Sequence, residues 1–99
     1  MINKIRMWAG DRNLIDGSTP ERQMLKLVEE MGELGAALAR NNQDGVVDGI
    51  GDMIVVLTII AAQRGVDIEE CIEAAYNEIK DRKGRMVNGV FIKELDIDV

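Results

Sequence analysis

This sequence predicts an all-α protomer: a helical bundle of three to four helices with a short C-terminal hairpin, completed by dimerisation. Three observations carry that expectation. Apolar residues recur at helical spacing from Met24 to Leu38. Turn chemistry at Asn41-Asn42-Gln43-Asp44-Gly45 and again at Gly65 divides the middle of the chain into rod-like lengths. An Asn88-Gly89 pair sits between apolar residues near the end. With 99 residues the chain is expected to form one domain, residues 1–99, with a core of modest area.

The elements follow in order. Ile2, Ile5, Met7 and Trp8 make the first dozen residues a short helix. Ser18 with Glu21 three residues later has the spacing of a capping box, and Pro20 is tolerated in a first helical turn. A helix over about residues 19–40 follows, with Met24, Leu27, Val28, Met31, Leu34 and Leu38 as its stripe. A second helix should run over about residues 43–64 and stop at Gly65. Its segment Val55-Val56-Leu57-Thr58-Ile59-Ile60 reads equally as a buried strand, and length decides for helix, because strands are usually shorter than the distance between the two turns. Asp67 and Glu70 open a third helix by another capping box, with Ile68, Cys71, Ile72, Ala75, Tyr76 and Ile79 on one side. Cys71 and Tyr76 are expected to pack there. Asn88-Gly89 is a two-residue hairpin signal.

Composition narrows the function. A net charge of −6 argues against a groove that holds a nucleic-acid polymer by general basicity. The single Cys71 forms no internal disulfide, which fits a reducing compartment. No apolar run near the start has the length of a signal peptide. The run from residue 53 to 62 is well short of the roughly 20 residues that cross a bilayer. The expectation is a soluble, cytoplasmic protein with no membrane partner.

The chain contains no histidine, so carboxylates are its plausible catalytic groups. Glu29, Glu30 and Glu33 stand close together on the first long helix; Asp48 and Asp52 stand a turn apart at the front of the most apolar stretch. Two antiparallel helices joined near residues 42–43 bring Glu33 and Asp52 level at about 1.5 Å rise per residue. Glu30 stacks one turn from Glu33, and Asp48 one turn from Asp52. On a helical wheel the three glutamates fall largely opposite the Met24–Leu38 stripe, which also fits a solvated face. The aspartates share a side with Val55 and Ile59 on a helix apolar almost all round, where idle anions are costly. A divalent cation would offset them, and oxygen-only donors suit magnesium, with manganese as a substitute. A helix apolar on every side also predicts an obligate homo-oligomer, dimer or tetramer. Asn77, Lys80, Arg82 and Lys83 form a second group at the end of the last helix. They read as phosphate-binding groups or as cations favoured at a helix C-terminus. Trp8 reads as a core anchor or a base-stacking plate, and Gln23 as an amide able to read a base edge.

These residues carry a resemblance. Lys26-Leu27-x-Glu29-Glu30-x-Gly32-Glu33-Leu34, then Asp48-x-x-Gly51-Asp52, then Asn77-x-x-Lys80, resembles the MazG-like nucleotide pyrophosphohydrolases over about residues 8–91. That all-α superfamily includes dimeric dUTPases, dCTP pyrophosphatases and phosphoribosyl-ATP pyrophosphohydrolases. The resemblance implies magnesium-dependent hydrolysis of a (deoxy)nucleoside triphosphate to monophosphate and pyrophosphate, in nucleotide-pool house-cleaning or regulation. It implies Glu30, Glu33 and Asp52 as metal ligands with Glu29 beside them as a further catalytic group. It implies Asn77 and Lys80, with Arg82 or Lys83, as groups that hold phosphates or sugar. The family's acid three residues before Asp52 is Gly49 here, and Asp48 stands one position earlier: either it substitutes, since i and i+4 share a face, or the site holds fewer metals or works poorly. The alternative reading is a non-catalytic, nucleotide- or protein-binding helical oligomer of the same fold.

Overall fold

A computed structural model describes residues 1–94 and contains four helices and one hairpin. These are α1 (Ile2–Asp11), α2 (Pro20–Ala39), α3 (Gln43–Gln63), α4 (Ile68–Ile79), β1 (Gly84–Val87) and β2 (Val90–Lys93). The expected all-α class holds, and the segment that reads equally as a strand lies inside α3. Residues 95–99 of the expected domain lie outside the described part. The chain forms two compact units, Met1–Ile68 and the residues from Glu69 onward.

In the first unit α2 and α3 pair as an antiparallel hairpin, and α1 lies against α3. The start of α2 differs from expectation by one residue. Thr19, not Ser18, is the N-cap: its hydroxyl accepts from the Arg22 N–H at 3.1 Å, with Pro20 at the first helical position. Ser18 Oγ instead accepts from Gln23 Nε2 at 3.0 Å, so that amide is already engaged. Asn41 turns the chain at φ 53°, and the Asn42 side chain caps α3 by accepting from Gly45 N–H at 3.2 Å. Gly65 closes α3 at φ 71°.

The stripe expected to be the core face of α2 is its core face only in part. Leu27, Glu30 and Ala37 are the residues of α2 that are buried, whereas Met24, Val28, Met31 and Leu38 are exposed in the protomer. α2 therefore has two apolar faces, and the wheel centred on the more populous one misplaced Glu30. The buried side of α3 holds Gly49, Val56, Thr58, Ile59 and Ala61, while Ile50, Ile54 and Leu57 remain exposed. Gly49 is the crossing point: a Cβ there would stand 3.1 Å from Leu34 Cβ and 3.3 Å from Leu34 Cα. The apolar run of residues 53–62 is embedded in a longer helix of 21 residues whose most apolar 18-residue window has mean hydropathy 2.0, which by length and composition alone suffices to cross a membrane.

Trp8 is not a core anchor. It is 44% exposed, with the Arg12 guanidinium 4.6 Å from its ring centroid. Ala9 is the buried residue of α1. Arg6 binds the Asp67 carboxylate, joining α1 to the segment after α3. Gln63 Nε2 donates to the carbonyls of Leu14 and Ile15, each at 3.3 Å, and pins the α1–α2 connection to the end of α3.

In the second unit no side chain of α4 is buried: Tyr76 is 61% exposed, and Cys71 is exposed as well. The expected packing of these two residues is not realised within this unit. The hairpin forms as expected. Asn88 and Gly89 take φ 51° and 80°, the two left-handed positions of a tight two-residue turn, and Val87 pairs with Val90 across it.

Candidate active site

Glu30 is the residue around which the site is built. It lies on the α2 face that meets α3 and is only 6% exposed. Burying a carboxylate costs several kcal/mol unless a cation or donors compensate. One oxygen is compensated: Lys26, one turn earlier, brings Nζ to 3.2 Å from Glu30 Oε1. The other, Oε2, is buried without a hydrogen-bond partner.

The neighbouring acids feel this charge. Glu33 has its carboxyl raised above the ordinary range, chiefly by the negative charge of Glu30. Asp52 is raised too, first by desolvation and then by Glu30 and Asp48. Lys26 is raised in turn, mainly by its hydrogen bond to Glu30. Acids from two helices thus press on one another around a single buried oxygen. Glu33, Asp48 and Asp52 line one cleft of about 310 Å³ between α2 and α3. Glu29 lies outside that cleft, exposed, with Lys26 Nζ at 3.8 Å.

The donor chemistry fits a hard divalent cation. All the candidate ligands are carboxylate oxygens, Glu33 and Asp52 are raised in proton affinity by their acidic neighbours and by desolvation, and the most buried acid, Glu30, has an oxygen with no hydrogen-bond partner. Among the described residues no three such side chains stand close enough together to hold an ion. Lys26 occupies the place of a counter-charge on one side of Glu30. Closure around a cation therefore requires rotation of the exposed side chains of Glu33, Asp48 and Asp52.

Of the other candidate residues, Trp8 shares a groove with Asp52, whereas the Gln23 amide is bonded to Ser18. Asn77, Lys80, Arg82 and Lys83 belong to the second unit. There Arg82 and Lys83 line a cleft of about 440 Å³, and Arg82 Nη2 stands 3.7 Å from Glu78 Oε1. Two residues of the first unit escaped the sequence reading. Lys26 was visible only as the (i, i+4) partner of Glu30. Arg40 closes α2 and lines the carboxylate cleft.

Comparison with known proteins indicates the family. The model of the MazG nucleotide pyrophosphohydrolase domain matches residues 18–87, which spans both α2 and α3 and reaches the hairpin. The chain belongs to the MazG family. A relative is 48% identical over 67 residues: an uncharacterized 18.2 kDa protein in the rep-hol intergenic region of Haemophilus phage HP1. The match covers 68% of this chain but 41% of that phage protein, so the chain spans about two fifths of its relative's length. No solved structure matches the chain. At the level of the MazG domain the activity indicated is nucleotide pyrophosphohydrolysis.

Proposed function

We propose that this MazG domain hydrolyses a (deoxy)nucleoside triphosphate between the α- and β-phosphates, releasing the monophosphate and pyrophosphate. The observation that carries the reading is the unpartnered Oε2 of buried Glu30, with Glu33 and Asp52 raised beside it. Glu30, Glu33, Asp48 and Asp52 are the side chains that would hold magnesium, or manganese in its place. Such an ion neutralises phosphate charge and lowers the pKa of a water bound to it. Glu29, exposed beside Lys26 and outside the carboxylate cleft, is the further acid that would orient a water and accept its proton. Lys26 holds Glu30 Oε1 and so fixes the face that its other oxygen presents. In the second unit, taken by itself, Asn77, Lys80, Arg82 and Lys83 form a group able to donate to phosphate oxygens or sugar. Pyrophosphate release from a panel of nucleoside triphosphates, with and without magnesium, tests the reading. Metal-dependent release from at least one of them is expected. Tight nucleotide binding without product would favour the non-catalytic alternative.

The partner surface belongs to the same proposal. Met24, Val28, Met31 and Leu38 on α2 and Ile50, Ile54 and Leu57 on α3 leave wide apolar faces uncovered on a single protomer. Contiguous exposure of this kind marks an interface. The carboxylates on α3, costly in lipid, favour a second copy over a bilayer. The functional unit is therefore a homodimer, or a homotetramer made of two. Sedimentation equilibrium should give a multiple of the chain mass, and Met31→Lys with Ile54→Lys should reduce it to the monomer. A wild-type chain that is monomeric at high concentration would remove this part of the proposal.

A further inference from the structure

Three clefts of the first unit share one residue, Asp52, and their walls differ in character. The first, about 310 Å³, holds Glu33 and Asp48 and ends at Arg40 and Asn42 beside the α2–α3 turn. The second, about 510 Å³, shares Asp48 and Asp52 with it and continues past Ile5, Ile54 and Val55. The third, about 330 Å³, shares Ile5, Asp52 and Val55 with the second and reaches Lys4 and Trp8. Together they make a line of adjoining clefts along α3 that meet at Asp52. Its centre is acidic, one end carries a guanidinium, and the other end is apolar with an indole.

Arg40 is exposed and has no ion pair or side-chain hydrogen bond among the described residues. Trp8 keeps almost half of its surface open although Arg12 covers its ring. An indole at the mouth of an apolar groove is a stacking surface for any planar base, and a neighbouring guanidinium strengthens such stacks. A guanidinium beside a carboxylate cleft has the fork geometry that phosphate oxygens accept.

The geometry points to a directional groove. A nucleotide lies along α3 with its base against Trp8 and its terminal phosphates at Arg40, placing the α-phosphate at the acids between them. Arg40 then grips the departing pyrophosphate, and Trp8 sets how the base is received. This inference rests on the function proposed above, and it adds the polarity of the substrate and two residues that determine it.

Trp8 is the only tryptophan of the chain, so intrinsic emission reports this end of the groove alone. The intact protein, with manganese present, is titrated separately with adenosine monophosphate, uridine monophosphate and inorganic pyrophosphate. Emission and calorimetry are followed in parallel. At least one monophosphate should quench Trp8, whereas pyrophosphate should bind without altering its emission. Arg40→Gln should weaken pyrophosphate binding by about tenfold, the loss expected for a charged hydrogen bond, and leave monophosphate affinity unchanged. Arg40→Lys should recover part of that loss. Quenching by pyrophosphate, silence towards both monophosphates when they bind, or equal weakening of both probe types in Arg40→Gln would overturn the polarity. Absence of binding by any probe would overturn the underlying function together with it.

Discussion

Glu33→Gln should reduce pyrophosphate release by about a thousandfold or more, because the several kcal/mol that a bound cation lends to phosphate chemistry depend on a complete ligand set. The substitution keeps the size of the side chain and occurs at an exposed position, so the fold should melt near the wild-type temperature. A second readout separates loss of the ion from loss of chemistry. Manganese should raise the melting temperature of the wild-type chain by mass action and have little effect on the variant. Glu33 is also the group whose carboxyl Glu30 pushes up most directly, so removing its charge relieves repulsion in the metal-free chain. The variant should therefore be at least as stable as wild type without metal. Retained turnover would refute the ligand assignment.

Gly49→Glu should lower stability by about 2 kcal/mol, or roughly 10 °C in melting temperature, through overpacking at the α2–α3 crossing. The added Cβ would meet Leu34 Cβ at 3.1 Å and Leu34 Cα at 3.3 Å, and neither atom can swing aside as a side-chain tip can. A better helix former gains back less than about 1 kcal/mol. Gly49→Ala should fall between the wild type and the glutamate variant in thermal melts. A Gly49→Glu chain as stable as wild type, binding manganese more tightly, would show that the position is open to an acid. The expected order explains the departure from the family motif. The helices here approach closely at Gly49, and Asp48, one position earlier, faces the cleft with Asp52.

Much of this was legible in the residues because the signals were local. Asn41, Asn42 and Gly65 each require a particular backbone or capping geometry, so the bounds of α3 followed within a residue, and Asn88-Gly89 dictated its turn. The juxtaposition of Glu33 with Asp52 followed from equal distances to one turn. Burial was less legible. Met24, Val28, Met31 and Leu38 outnumber the residues on the opposite face, and periodicity counts apolar side chains without saying which neighbour covers them. Leu27, Leu34 and Ala37 face α3 with Glu30 among them, so the face that looked solvated carries the most buried acid of the site. Trp8 failed for a related reason: a large aromatic ring predicts burial, but α1 turns Ala9 inward and leaves the indole at the rim.

Glu30, Glu33, Asp48 and Asp52 lie on one uninterrupted stretch, two rods and the tight link between them. Nothing from a distant part of the chain has to arrive for these carboxylates to meet. Such a centre is portable: sequence can be appended before α1 or beyond β2, exchanged or lost without redrawing the carboxylate arrangement. The same MazG hairpin can thereby serve proteins of quite different length.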